Sequence, residues 1–217
     1  MNYLMIELPL FPLNTVLFPE MPIPLHIFEE RYKLMMNICL QEKRPFGIVL
    51  IQEGEAEQGP LAIPYEIGCT AEITHVQPLD DGRLLIMAIG QKRFRILSLK
   101  RDKPYLVGLV EYLPLESEDE QLINKGSGRL RPLVIEYLQL LSRLGDVEFD
   151  PLQVPTVAED LVYLAAAIIQ VPIEIKQAFL VTDRATQLLR DLHTTYRQEI
   201  ALMRHMPKED QGLFSVN

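Results

Sequence analysis

The sequence predicts an α+β protein in which a β-rich part precedes a helical part. Prolines recur through the first 25 residues, where they exclude a continuous helix and leave a bent, extended segment. Short apolar segments separated by turn residues follow as far as Tyr112, which is the pattern of strands with short connections. After Leu130 the apolar residues recur at three- and four-residue steps, which predicts helices. We therefore predict two domains, residues 1–113 and residues 114–217.

The composition disfavours several classes of protein. Of the 217 residues, 48% are hydrophobic and 24% are charged, which is typical of a soluble domain with its own core. The longest mostly apolar run, Leu161–Val171, has about half the roughly 20 residues that a membrane span needs, and the N-terminus lacks a signal-peptide pattern. We expect no membrane segment and a cytoplasmic location. The formal charge of −9 disfavours general attraction to nucleic acid.

Local patterns define the elements of the first part. Helical spacing of apolar residues predicts a helix over Ile27–Glu42, with Phe28 in its buried stripe. Phe46–Ile51 is apolar throughout, as expected of a strand buried on both faces. The sequence Asp-Asp-Gly at residues 80–82 predicts a hairpin turn, and Gly-Gln-Lys at residues 90–92 predicts a second turn. Strands at this spacing favour a small barrel or a strongly bent sheet, because closure removes exposed edges.

Two strands of this part show an alternation of side chains. Phe94 and Ile96 are predicted to point into the core, whereas Arg93 and Arg95 are predicted to face solvent. The strand that contains them is therefore expected to be half-exposed. On the preceding strand, His75 alternates with residues that face the core, and this predicts an interior histidine with satisfied hydrogen bonds.

The second part contains four predicted helices. Leu130–Leu144 carries one apolar stripe. The spacing from Thr156 to Glu159 is that of a capping box, which predicts the start of a helix that is apolar nearly all round and central in a bundle. A short helix over Glu174–Leu180 follows, and Asp183 is predicted to cap a last long helix.

The sequence shows no arrangement of residues typical of a metal or cofactor site. Cys39 and Cys69 are the only cysteines, and both lie among apolar or β-forming residues, so we predict buried thiols rather than a disulfide. The four histidines lie in separate segments without the paired spacing of a zinc site. We therefore expect no bound metal and no cofactor.

Several short motifs follow one another between Leu8 and Met203. The most specific motif is Pro-Leu-His-Ile-Phe-Glu at residues 24–29, followed by Arg31 and Tyr32. Further motifs are FGIVLI at 46–51, DGRLLI at 81–86, GQKRFRI at 90–96 and IKQAFL at 175–180. In this order they resemble the N-terminal substrate-recognition domain of Lon proteases. The resemblance implies a PUA-like β pseudobarrel followed by a C-terminal helical subdomain. Glu20 stands where this family usually has glycine, which costs about 1 kcal/mol if the position needs a positive φ.

The resemblance covers recognition and not catalysis. A Lon protease also needs a phosphate-binding Gly-x4-Gly-Lys-[Ser/Thr] loop and a peptidase domain, and these 217 residues contain neither that loop nor a Gly-x-Ser-x-Gly elbow. We therefore predict that the chain is not an enzyme. The resemblance implies a stand-alone module that binds protein or peptide clients, as an adaptor or regulator of protein turnover or quality control. A separate protease is then a candidate partner.

Three candidate binding residues lie in the most specific motif or just after it. His26 has two interpretations, a hydrogen bond to the bent backbone nearby or contact with a ligand. Glu29 and Arg31 are interpreted either as an ion pair within the fold or as part of a recognition surface. The sequence does not favour one alternative for this pair.

The other three candidates, Lys92, Arg93 and Arg95, begin a strongly basic stretch. Residues 92–103 contain six basic side chains and one acid, Asp102. One interpretation is a solvated strand face with a charged turn. The alternative is a site for an acidic peptide, an anion or RNA, although the stretch lacks exposed aromatic residues interleaved for base stacking.

Overall fold

The computed structural model describes residues 5–54, 62–145 and 150–205. The strands are β1 (Ile6–Leu13), β2 (Pro22–Ile27), β3 (Phe46–Glu53), β4 (Ile63–Pro64), β5 (Ile67–Pro78), β6 (Leu84–Lys100) and β7 (Leu106–Tyr112). The helices are α1 (Glu30–Glu42), α2 (Glu120–Gly145), α3 (Ala158–Ile168), α4 (Ile173–Val181) and α5 (Ala185–His205). The predicted α+β class is confirmed. None of the described helices has the length and apolarity needed to cross a bilayer.

Five strands close into a barrel. The order is β1, β7, β6, β5 and β3, with each neighbour antiparallel to the next, and β3 returns to pair with β1 in parallel. Because the ring is closed, each of these five strands has a neighbour on both sides. Outside the ring, β2 pairs with the first half of β6, and β4 pairs with the end of β3. The barrel predicted from the strand spacing is thus confirmed.

The ring of Phe94 crosses the interior of the barrel. A Cβ added to Gly47 on β3 would lie 2.7 Å from the tip of this ring, although β6 and β3 are not neighbouring strands. The predicted inward direction of Phe94 is therefore confirmed. The other buried members of this interior cluster are Leu8, Leu10, Val49, Leu106 and Val110.

A second cluster of buried residues surrounds helix α1. Tyr32, Met35, Met36 and Cys39 form the buried face of this helix, and the ring of Tyr32 lies 4.2 Å from that of Phe11 on β1. These helical residues belong to one apolar cluster with residues of β1, β2, β3, β5, β6 and β7. Helix α1 therefore packs on the sheet through this cluster.

Helix α1 begins later than the sequence pattern predicts. Residues 22–27 pair with β6 as strand β2, so the helix starts only at Glu30. Phe28 lies in the connection and is 54% exposed. Its predicted place in the buried helical stripe is wrong, because pairing between β2 and β6 extends the strand to the residue before it.

Predicted turns in the β-rich part have different outcomes. The hairpin turn at residues 80–82 is confirmed, with a φ of 79° at Gly82 and a hydrogen bond of 2.9 Å from its N–H to the Leu79 carbonyl. The predicted turn at Gly90-Gln91-Lys92 is wrong, because β6 continues unbroken from Leu84 to Lys100. The glycine at position 90 instead permits close packing, because an added Cβ would lie 2.1 Å from the Phe18 carbonyl oxygen.

Glu20 has the backbone conformation that favours glycine. Its φ is 62°, and its N–H donates to the Gly90 carbonyl while the Gly90 N–H donates to the Met21 carbonyl, each at 2.9 Å. Two residues thus face one on β6, which is a β-bulge of the type that normally places glycine at its first position. The condition under which glutamate costs about 1 kcal/mol relative to glycine, a positive φ, is therefore met at this position.

His75 is exposed, and its predicted interior position is wrong. The pairing of β5 with β6 shifts register between Ile73 and His75. Such an irregularity adds a residue to one strand, so the side chains beyond it change to the opposite face. His75 therefore lies on the same exposed face as its partner on β6, Met87.

Contacts within the chain divide it into two compact units. The first contains residues 1–114 and 171–181, and the second contains residues 115–170 and 182–217. Helix α4 counts with the first unit in this division, where the Gln177 side-chain amide donates to the Ile67 carbonyl at 2.9 Å. The two domains predicted from the sequence, residues 1–113 and 114–217, stay a prediction.

The second unit packs α2, α3 and α5 around two buried tyrosines. The rings of Tyr137 and Tyr196 meet edge to face at 5.3 Å. The hydroxyl of Tyr196 donates to the Ala165 carbonyl, and the hydroxyl of Tyr137 accepts from the Gln170 N–H, each at 2.9 Å. Both polar tips are therefore satisfied inside an apolar bundle.

Two predicted helix starts in this unit need correction. Helix α2 begins at Glu120 rather than Leu130, because the Asp119 carboxylate accepts hydrogen bonds from the N–H groups of Gln121 and Leu122, each at 3.0 Å. Helix α3 begins at Ala158, with Val157 rather than Thr156 at the N-cap and no side-chain cap. The predicted capping box is one residue out of register and does not form.

Candidate functional site

A groove of about 410 Å³ runs beside strand β2. We call it the β2 groove. Strand β2 pairs with β6 on one side, and its other edge has no partner strand among the described residues. The lining residues are Phe11, Leu13, Asn14, Thr15, Ile23, Pro24, Leu25 and His26. The groove is therefore mainly apolar and lies at the point where the sequence motif of residues 24–29 begins.

Exposed side chains extend the apolar surface from the groove across β2 and β6. Pro24 pairs with Met87, and His26 pairs with Leu85, so each pair shares one face of the sheet. All four residues are exposed. The ring of Phe28 lies 5.8 Å from that of His26. We call these five residues, Pro24, His26, Phe28, Leu85 and Met87, the apolar patch.

The edge of β2 is poorly suited to pairing with a further strand. Two of its six residues, Pro22 and Pro24, have no N–H to donate. Prolines at a sheet edge are a common means of preventing strand addition. A segment bound in the β2 groove would therefore depend on contacts between side chains more than on backbone hydrogen bonds.

Glu29 and Arg31 bind each other at the start of α1. An Nη2 atom of Arg31 lies 2.6 Å from a carboxylate oxygen of Glu29, and the Arg31 guanidinium lies 4.5 Å from the centroid of the Tyr32 ring. Both side chains are mostly buried. Of the two alternatives left open by the sequence, the geometry favours an ion pair that holds the connection between β2 and α1.

Arg93 is buried, so its predicted exposure is wrong. It points away from the interior of the barrel, as predicted, but only 2% of its surface is accessible. Its guanidinium donates to the Leu180 carbonyl near the end of α4 at 2.8 Å and to the Pro114 carbonyl at 3.1 Å. Helix α4 covers this part of the strand, and the arginine anchors two segments that are distant in sequence.

The other cations of the basic stretch are dispersed. Arg95 forms an ion pair with Glu111 at 3.5 Å, and Lys100 forms one with Glu7.

The ammonium of Lys92 lies 5.1 Å from the Tyr112 ring centroid, beside a cavity of about 470 Å³ that Glu72 also lines. The stretch therefore does not form one uncompensated basic surface, although Lys92 remains accessible beside a cavity.

The two thiols are unsuited to nucleophilic chemistry. Burial raises the pKa of the Cys39 thiol to about 11 and that of the Cys69 thiol to about 12. Because the thiolate is the reactive form, both side chains are inert at neutral pH. In residues 5–54, 62–145 and 150–205, no three His, Cys, Asp or Glu side chains gather as a metal site would require.

Among the residues of the apolar patch, only His26 is a binding candidate in the sequence. Phe28 was assigned to the helix, and the apolar run that contains Leu85 and Met87 gave no sign that one of its faces is exposed. The alternation Pro-Ile-Pro-Leu-His-Ile at residues 22–27 was the available signal for a strand. It would have placed Phe28 outside the helix.

Solved structures define the class of fold. The Lon N-terminal domain protein from Xanthomonas campestris superposes with a TM-score of 0.59 at 24% identity, over 93% of this chain and 99% of that one. The N-terminal domain of the Mycobacterium avium complex Lon protease superposes with a TM-score of 0.69 at 17% identity, over 88% of this chain and 98% of that one. The fold is thus that of Lon N-terminal domains, which confirms the predicted fold.

The chain belongs to the family described as the ATP-dependent protease La (LON) substrate-binding domain, whose model matches residues 7–196. Lon protease 2 of Myxococcus xanthus is 28% identical over 177 residues, which are 81% of this chain and 21% of that protein. A LON peptidase N-terminal domain and RING finger protein of Schizosaccharomyces pombe is 34% identical over 106 residues, 44% of this chain and 22% of that protein. The chain spans about a fifth of the length of these curated relatives.

Proposed function

We propose that this domain recognises exposed apolar segments of protein clients and acts as an adaptor or regulator in protein turnover. Binding would take place at the β2 groove and the apolar patch, without chemical change in the client. The observation that carries the proposal is the exposure of Phe28, Leu85 and Met87 beside an apolar groove. Contiguous apolar surface of this kind commonly marks an interaction site.

The energetics favour weak and reversible association. Full burial of a Phe, Leu or Met side chain contributes about 1.5–3 kcal/mol. The patch offers three such side chains, and part of their contribution offsets the loss of translational and rotational freedom on binding. Affinity in the micromolar range would suit a module that has to release its clients.

The site geometry favours an extended client segment that binds through its side chains over a segment that adds to the sheet as a further strand. Prolines limit the backbone donors of β2, so selectivity would come from the size and spacing of apolar side chains in the client. The Glu29–Arg31 ion pair at the start of α1 would contribute indirectly, by holding the connection that carries Phe28.

A protease is the proposed recipient of the bound clients. The similarity to Lon proteases covers about a fifth of their length, and the 217 residues here contain no phosphate-binding loop. We therefore assign recognition to these 217 residues and propose that a protease degrades the bound clients. The proposal assigns no catalytic residue to this chain.

The test is binding of a short fluorescein-labelled peptide of alternating leucine and serine, measured by fluorescence anisotropy. Phe28→Ser should weaken binding about tenfold, which corresponds to about 1.4 kcal/mol. The matched control is Leu152→Ser, since Leu152 is 87% exposed and lies outside the groove and the patch. Equal affinity for both variants would contradict the proposal.

Salt dependence separates this function from the alternative of anion or RNA binding through Lys92 and its neighbours. Apolar contact should change little between low and moderate salt, whereas binding to several phosphates weakens steeply. A steep fall in peptide affinity with salt, together with tight binding of a single-stranded RNA, would favour the alternative.

A further inference from the structure

A second groove, of about 440 Å³, lies in the helical unit between α2 and α5. We call it the α2–α5 groove. Its apolar floor consists of Leu122 and Leu189, and its cationic side chains are Lys125, Arg129 and Arg190, with His193 beside them. Residues 122, 125 and 129 fall three and four apart, so they share one face of α2.

A glycine, Gly126, leaves room at the floor of the groove. A Cβ added to Gly126 would lie 3.0 Å from a terminal methyl of Leu189, which is a tight contact. Leu189 is buried, whereas Leu122 is 55% exposed. Leu122 is therefore the leucine that offers accessible apolar surface to a ligand.

The charge of the groove is opposite to that of the surrounding sequence. Residues 114–217 contain 10 basic and 16 acidic side chains, yet no carboxylate lines the groove. Within the described part of the chain, neither Lys125 nor Arg129 forms an ion pair, and Arg190 donates to the neutral amide of Gln187 at 2.9 Å. The Glu118 carboxylate lies at one end of the groove, where it accepts a hydrogen bond from the Thr186 hydroxyl.

We propose that the α2–α5 groove binds an acidic peptide segment of a partner protein, with one large apolar side chain on the leucine floor. Carboxylates of the segment would contact Lys125, Arg129 and Arg190, and the apolar side chain would cover Leu122. An apolar floor within a cationic rim matches an acidic amphipathic segment. Nucleic acid is the poorer match, because no Phe, Tyr or Trp lines the groove for base stacking.

This site goes beyond client recognition, since its proposed ligand is acidic, whereas the segments proposed to bind in the β2 groove are apolar. A glutamate-rich, fluorescein-labelled peptide with one central phenylalanine is the probe. The variant Lys125→Glu with Arg129→Glu should weaken its binding at least tenfold. The matched control is Arg101→Glu with Arg143→Glu, which makes the same change in formal charge at exposed positions outside the groove and should change affinity less than twofold.

A second variant tests the apolar part of the site. Leu122→Ser keeps the charge of the groove and should weaken binding several-fold, with an unchanged melting temperature because Leu122 is largely exposed. Equal loss of affinity in the two charge variants would overturn the proposal, since it would indicate general electrostatic attraction. Full affinity in Leu122→Ser together with displacement of the peptide by a single-stranded oligonucleotide would also overturn it, in favour of a general anion site.

Discussion

The barrel and the helical unit build their cores in different ways. In the barrel, glycines let backbones and large side chains approach closely, as where Gly68 faces the Ile48 carbonyl and Gly90 faces that of Phe18. In the helical unit, large side chains fill the centre, and the hydroxyls of Tyr137 and Tyr196 bond to the backbone. The barrel should therefore be sensitive to added as well as removed volume, and some helix positions should accept added volume freely.

The largest expected effect is loss of the aromatic ring at the centre of the barrel. Phe94→Ala should lower the free energy of unfolding by about 3–5 kcal/mol, because it leaves a cavity that the closed strands cannot fill by collapse. Urea denaturation measures this quantity. Phe28→Ala is the control and should change stability by less than about 0.5 kcal/mol, since that ring is exposed. Similar losses in both variants would refute the inward position of Phe94.

The next effect tests added volume in the two regions. Gly90→Ala should destabilise the protein by about 3 kcal/mol, because its Cβ would lie 2.1 Å from a backbone oxygen that cannot move without shifting the turn at residues 18–21. Gly128→Ala, on α2 with nothing within 4 Å of the new Cβ, should stabilise it by up to about 1 kcal/mol. Thermal denaturation of the two variants should give shifts of opposite sign, and shifts of the same sign would contradict the comparison.

Two arginines on β6 should differ in their contribution to stability. Arg93→Ala should cost about 2–3 kcal/mol, since it leaves the Leu180 and Pro114 carbonyls without their buried donor. Arg95→Ala removes a more exposed ion pair with Glu111 and should cost less than about 1 kcal/mol. Chemical denaturation of both variants checks the difference. A smaller loss for Arg93→Ala than for Arg95→Ala would show that α4 does not depend on this arginine.

The smallest effect is expected at the bulge before β2. Glu20→Gly should raise the free energy of unfolding by about 1 kcal/mol, because glycine adopts a φ of 62° without steric cost. A rise in melting temperature would confirm it. A fall in melting temperature would mean that the greater conformational entropy of the unfolded variant outweighs the relief of backbone strain in the folded one.

The sequence predicted elements whose signals are local. The buried strand at residues 46–51, the hairpin at residues 80–82 and the inward direction of Phe94 all follow from apolar pattern and turn residues. The resemblance to Lon N-terminal domains predicted the family and the fold. The candidate site was predicted only in part, through His26, because the motif marks a segment and not the surface around it.

The errors arose where distant parts of the chain meet. Burial of Arg93 depends on α4, a helix more than 80 residues later, and nothing near the arginine in sequence reveals it. His75 was misplaced because a bulge changed the phase of β5. Gly90 was interpreted as a turn, although its role is to accommodate the backbone of Phe18. Each residue has a local pattern that tertiary contacts override.

Hydrogen–deuterium exchange with an unfolded, alkylated protein as client tests the proposed site most directly. If clients bind at the β2 groove and the apolar patch, exchange should slow in residues 11–28 and 84–89, with residues 92–103 unaffected. Phe28→Ser should abolish the slowing, whereas Leu152→Ser should leave it intact. Slowing confined to residues 92–103, or no change anywhere in the barrel, would contradict client recognition at this edge of the sheet.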